Sequence, residues 1–93
     1  MEFEFVDLGG DAFAFRQEED GKMQAEITWT LLADVMVMDH TYVSEDLRGQ
    51  GVAKKLLDRA ADYARENDYK MDAVCSYVVT AFNRYKEYED VKV

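Results

Sequence analysis

The sequence has one cysteine, Cys75, no proline, and no apolar run near the ~20 residues that a membrane span requires. A lone cysteine cannot form an internal disulfide, which fits a reducing compartment. The opening stretch "MEFEFVDLGG" lacks the basic and apolar segments of a signal peptide. A cytoplasmic chain that does not engage membranes is therefore expected. Basic residues are scarce too: 11 against 20 acidic ones give a formal net charge of −9, which disfavours a general nucleic-acid binder. No repeat, low-complexity tract or linker interrupts the chain. Its 93 residues leave little room for a second core, so 1–93 reads as one domain. With 48% hydrophobic and 13% aromatic residues, a packed interior is expected and disorder is not.

The apolar pattern is that of strands in the first half and helices in the second. "EFEFVD" alternates, with Phe3 and Phe5 on one face, and Gly9-Gly10 signals a turn. "AFAFRQ" is a second strand, Asp20-Gly21 a favoured turn pair, and "MQAEITW" a third strand burying Met23, Ala25, Ile27 and Trp29. After a break near Leu31 to Asp34, residues 35–43 start apolar on both faces, as in a central strand covered on both sides. Ala53, Leu56, Leu57, Ala60 and Ala64 form a helical stripe, with Asn67 as its expected left-handed stop. "KMDAVC" reads as a fifth strand. A last helix carries Val78, Val79, Phe82 and Tyr85, with Ser76 as its N-cap. The order β-β-β-β-α-β-α requires a right-handed crossover between the fourth and fifth strands, hence a parallel pair in a mostly antiparallel sheet. The fold class is α+β.

"LRGQGVA", residues 47–53, is the segment that carries chemistry. Two glycines directly before a helix, where each costs about 1 kcal/mol against alanine, suggest a need for backbone freedom. A glycine loop at a helix N-terminus presents N–H groups and the positive end of the dipole to an anion such as pyrophosphate. Arg48, Lys54, Lys55 and Arg59 add positive charge against Asp58 alone. A tight strand-to-helix connection and a solvated helix face fit the same residues. Val52-Ala53 after Gly51 excludes a Walker A loop, and no third glycine completes a dinucleotide fingerprint.

The segment resembles the R/Q-x-x-G-x-G/A motif of the GCN5-related N-acetyltransferase superfamily, with Arg48, Gly51 and Ala53 at its defining positions. His40-Thr41-Tyr42-Val43, the lone Cys75 and Glu87-Tyr88-Glu89-Asp90-Val91 resemble signatures of its minimal stand-alone members, which are roughly 90–110 residues long. Those members often carry proline two residues before the cysteine and just after it, where this chain has Ala73 and Ser76.

The resemblance implies a sheet whose parallel fourth and fifth strands splay apart, and acetyl transfer from acetyl-CoA to an amine. It places the pyrophosphate on Arg48, Gly49, Gln50, Gly51, Val52, Ala53 and Lys54. The pantetheine would lie along Thr41, Tyr42 and Val43, and a backbone N–H near His40 to Tyr42 would serve as oxyanion donor. Cys75 and His40 are the candidate catalytic residues. Cys75 can be an acyl carrier, line the thioester site, or fill the core. His40, the only histidine, can act as base or relay, or end a strand with its hydrogen bond satisfied. Tyr85 and Tyr88 can donate a proton to the leaving thiolate or simply pack. The acidic surface suits a cationic acceptor such as a lysine-rich peptide or a polyamine. The Gly9-Gly10 turn leaves no room for helices over the acceptor, whose face is expected to be open. A monomer or weak dimer is expected. Two other classes fit the same residues: a CoA-binding module without turnover, and a small acidic interaction protein.

Overall fold

Four strands fill the first half: β1 (Glu4–Gly9), β2 (Ala12–Glu19), β3 (Lys22–Leu32), whose apolar and polar residues alternate, and β4 (Val35–Val43), which starts apolar on both faces. The computed structural model describes residues 2–93. The strands follow one another across the sheet in the order β1-β2-β3-β4-β5, where β5 is Lys70–Ala73. The first three pairings are antiparallel. β4 and β5 run parallel, joined by the crossover helix α1 (Val52–Asn67). The expected order of elements and the mixed pairing are both present.

Turn chemistry explains the short links. Asp20 and Gly21 both have positive φ, 53° and 77°, the two-residue geometry whose twist suits a hairpin. The break expected over Leu31 to Asp34 is shorter, because β3 runs to Leu32 and only Ala33-Asp34 precedes β4. Ala33 sits at φ 56°, where an alanine Cβ crowds the following carbonyl. Ala33→Gly is expected to stabilise the fold by about 0.5–1 kcal/mol, a rise of about 2–8 °C in Tm. An unchanged or lower Tm by calorimetry would contradict strain at this turn.

The second half departs from expectation by one or two residues. The left-handed stop of α1 is Asp68 (φ 57°), one residue past Asn67, and the Tyr69 N–H closes on the Ala64 carbonyl at 2.8 Å. β5 ends at Ala73 rather than at Cys75. Helix α2 (Ser76–Arg84) has Cys75, not Ser76, at its N-cap. Val78, Ala81 and Phe82 are buried on α2, whereas Val79 is exposed and Tyr85 lies past the helix end. A 3-10 turn, Lys86–Tyr88, then returns the chain to the outer edge of β5. There the Met71 N–H donates to the Val91 carbonyl and the Val93 N–H to the Met71 carbonyl.

One face of the sheet carries the core. Phe15, Ile27, Trp29, Met36, Met38 and Met71 form one buried cluster with Leu56, Leu57, Ala60 and Ala64 of α1 and with Val78 and Phe82 of α2. Val52 and Ala61 join the expected α1 stripe, while Ala53 is only half-buried. On the opposite face the register aligns Arg16, Glu26, Thr28, Thr30, Val37 and His40, and only Ala14 is buried. β4 is therefore covered on one side, contrary to the expectation of cover on both. The polar residues on the second face explain this, since they offer no apolar stripe for a helix to bury.

Candidate functional site

The feature that organises the site is an irregularity in β4. Thr28 pairs with His40 and the next residue, Trp29, pairs with Met38, which leaves Asp39 as an extra residue. Such a β-bulge bends its strand and re-aims its side chains. The bend coincides with the end of the β4–β5 ladder, whose last pair is Met38–Ala73. Beyond it the Val74 and Cys75 N–H groups both turn to the Met38 carbonyl, at 3.2 and 2.8 Å. Residues 40–43 continue to pair with β3 and leave β5 behind. The two parallel strands thus part, and one backbone edge of His40–Val43 lacks a ladder partner from β5.

A loop and a helix end lie just beyond the parted strand. After a 3-10 turn at Glu45–Leu47, Gly49 and Gly51 adopt φ of 82° and 73°. A Cβ built at either glycine meets nothing within 4 Å. Conformation, not crowding, requires glycine here, and the space in front of the loop is open. α1 begins without a side-chain cap and without an acidic residue in its first turn. Its leading N–H groups and its positive dipole end therefore face solvent uncompensated. Arg48 Nε donates to the Val43 carbonyl at 3.2 Å, and Gln50 Nε2 to the Asp46 carbonyl at 3.2 Å, so both brace the loop from within. A cavity of about 350 Å³ extends from the loop, lined by Val43, Leu47, Arg48, Gly51, Tyr77 and Tyr85 among others. This donor set suits a polyanion followed by a less polar chain.

Lys54 is less available than its position suggests. Its Nζ lies 2.7 Å from Glu87 and 3.3 Å from Asp58, and it sits over the Tyr85 ring at 4.9 Å. The hydrogen bond to Glu87 chiefly raises its pKa, against a smaller desolvation effect. Tyr88 is buried, with its hydroxyl donating to Asp58. It is a packing residue and not a proton donor within the cavity. Tyr85 lines the cavity.

The strand alternation separates the two candidate catalytic residues. Half-buried Cys75 donates its thiol to Thr41 Oγ1 at 3.5 Å, on the helix side of the sheet. His40 is exposed and aligned with Thr28 on the uncovered face. Tyr42, aligned with Glu26, is also exposed on that face. Thr41 and Cys75 are thus brought together, whereas His40 and Tyr42 look the other way. Sequence reasoning missed Leu47 and Tyr77 in the cavity wall. It also missed the bulge at Asp39, whose only mark in the chain is that the polar pair Asp39-His40 ends the apolar run of β4. Among the described residues no group of His, Cys, Asp and Glu could hold a metal ion, and no helix is long and apolar enough to cross a membrane.

Comparison with known proteins agrees with this geometry. A family model described as GCN5-related N-acetyl-transferase matches residues 12–91. The solution structure of a GCN5-like protein from Staphylococcus aureus is 36% identical, with a TM-score of 0.71 over 97% of this chain and 87% of that one. The ribosomal-protein-alanine N-acetyltransferase of Brucella melitensis biovar Abortus 2308 is 28% identical, with a TM-score of 0.63 over 92% of this chain and 66% of that one. The ribosomal-protein-S18-alanine N-acetyltransferase of Escherichia coli shares the fold at 18% identity, with a TM-score of 0.65 over 82% of this chain and 52% of that one. No curated protein matches the sequence.

Proposed function

Because the chain belongs to the GCN5-related N-acetyltransferase family, we propose that it transfers the acetyl group of acetyl-CoA to an amine where β4 and β5 part. The observation that carries this reading is the unpaired edge of His40–Val43 leading directly into an uncapped, glycine-flanked helix N-terminus. Arg48 to Lys54 are the pyrophosphate site, with backbone N–H groups as the main donors and Arg48 at the rim. Lys54 contributes less, since Glu87 and Asp58 already hold its charge. The backbone of Thr41, Tyr42 and Val43 is the pantetheine strip, and acetyl-CoA supplies an activated thioester there.

In the transfer, the amine nitrogen attacks the acetyl carbon. A C–N bond forms, the C–S bond breaks, and a proton passes from nitrogen to a base while sulfur leaves as thiolate. His40 is the candidate base, reached from the uncovered face. Cys75 lines the acetyl site beside Thr41 and does not carry the acetyl group.

The test is acetyl-CoA-dependent release of CoA thiol with spermidine or a lysine-rich peptide as acceptor. Cys75→Ala and Cys75→Ser are expected to keep most of kcat and to change KM for acetyl-CoA modestly. An acetyl adduct of about 42 Da on Cys75, formed as fast as turnover, would establish a covalent carrier and contradict direct transfer. No thiol release with either acceptor, together with no CoA binding, would contradict the acetyltransferase reading.

A further inference from the structure

Resting on the acetyltransferase reading above, we propose that Asp39 is the acceptor-recognition residue and that the acceptor carries at least two amino groups. The bulge puts Asp39 at the residue where β4 leaves β5. Its two carboxylate oxygens accept hydrogen bonds from Thr28 Oγ1 (2.5 Å) and Thr30 Oγ1 (3.2 Å). Two neutral hydroxyls orient the group without cancelling its charge, and Asp39 remains exposed on the uncovered face.

Arg16, aligned with Glu26 on that face, is already committed. Arg16 is paired with Glu26 at 2.5 Å and lies 3.8 Å from Glu18. The face therefore presents uncompensated negative charge close to the parted strands. On the opposite side α1, α2 and the core cover the sheet, and the cavity left there is the one assigned to CoA, which leaves this face for the acceptor.

The chemistry then limits the acceptor. An amine must be neutral to attack a carbonyl, whereas a nitrogen held by a carboxylate keeps its protons as an ammonium. The group bound at Asp39 is therefore not the reacting nitrogen. A polycation satisfies both requirements, with one ammonium fixed at Asp39 and a second amine free to enter the gap beside His40. Spermidine and a lysine-rich peptide share this chemistry.

Amide NMR of the full chain, titrated first with CoA and then with spermidine, tests the proposal. Spermidine is expected to shift Thr28, Thr30, Asp39 and His40. Asp39→Asn is expected to weaken its Kd about five-fold, the upper range for one exposed ion pair. Asp72→Asn, an equal charge change on the same face, should change it less than about two-fold. A parallel titration with pentalysine separates the two sources of the ammonium. Equal weakening by the two variants, or unmoved Thr28 and Thr30, would overturn the assignment of Asp39. Failure of the acetyltransferase reading would instead appear in the first titration, as unmoved signals from Arg48 to Lys54.

Discussion

Gly51→Asp is expected to weaken CoA binding about 100-fold while leaving the protein folded. Gly51 has φ 73°, and a Cβ there meets nothing within 4 Å. Aspartate and asparagine tolerate the left-handed region better than other residues with a Cβ. Either substitution should therefore cost no more than about 1 kcal/mol of stability. Aspartate, however, puts a negative charge at the helix N-terminus where the pyrophosphate would bind. Two like charges about 5 Å apart at an effective dielectric of about 20 repel by about 3 kcal/mol, which is about 100-fold in Kd. Gly51→Asn brings the same shape without charge and should weaken CoA binding by less than about ten-fold. Equal losses for the two variants would show that backbone strain, and not an anion, sets the requirement at Gly51.

Tyr88→Ala is expected to have the largest effect on stability, a loss of about 3–5 kcal/mol. Tyr88 is only 1% exposed. Its ring lies 5.3 Å from Phe82 and 6.3 Å from Tyr85, and its hydroxyl bonds Asp58 on α1. It thus anchors the C-terminal segment to the helix that forms the anion loop. A domain of this size is stable by only about 5–15 kcal/mol, so much of the margin would go. Tyr88→Phe keeps the ring and should cost about 1–2 kcal/mol.

Burial, reinforced by the hydrogen bond to Asp58, pushes the Tyr88 hydroxyl well above the usual phenol pKa. A group whose folded pKa is raised contributes stability that is complete below its unfolded pKa, about 10, and is lost as pH rises beyond it. Tm should therefore fall as pH is raised past about 10, and less steeply in Tyr88→Phe. Burial raises Tyr63 and Tyr77 in the same direction, so some slope should remain. A loss below about 1 kcal/mol for Tyr88→Ala in a denaturant titration would contradict the anchoring role.

Local patterns in the chain revealed much of this architecture. Alternation marked β1 to β3, a run apolar on both faces marked the start of β4, and the 3.6-residue stripe marked α1 because it packs on one side only. Shifts of one or two residues at Asp68, Ala73 and Cys75 escaped because helix and strand ends depend on hydrogen bonds to distant carbonyls such as Met38. The pairing of Val91–Val93 with Met71 escaped for a similar reason, being a contact 20 to 22 residues apart with no periodic signal.

The glycine loop was legible from Gly49 and Gly51, whose positive φ leaves a mark on composition. The opposite orientations of His40 and Thr41 follow from strand alternation, but the bulge at Asp39 shifts the phase of that alternation along β4. In the sequence Lys54 belonged to a basic group opposed by Asp58 alone. Its partner Glu87 lies 33 positions away, and only the packing of the C-terminal turn on α1 joins them.

The central claim is that the anion loop and the parted strand form one CoA site. Amide NMR during a CoA titration tests it most directly. The account predicts the strongest shifts at Arg48 to Lys54 and at Thr41 to Val43, moving together with a single Kd. Shifts confined elsewhere, or none at millimolar CoA, would contradict it.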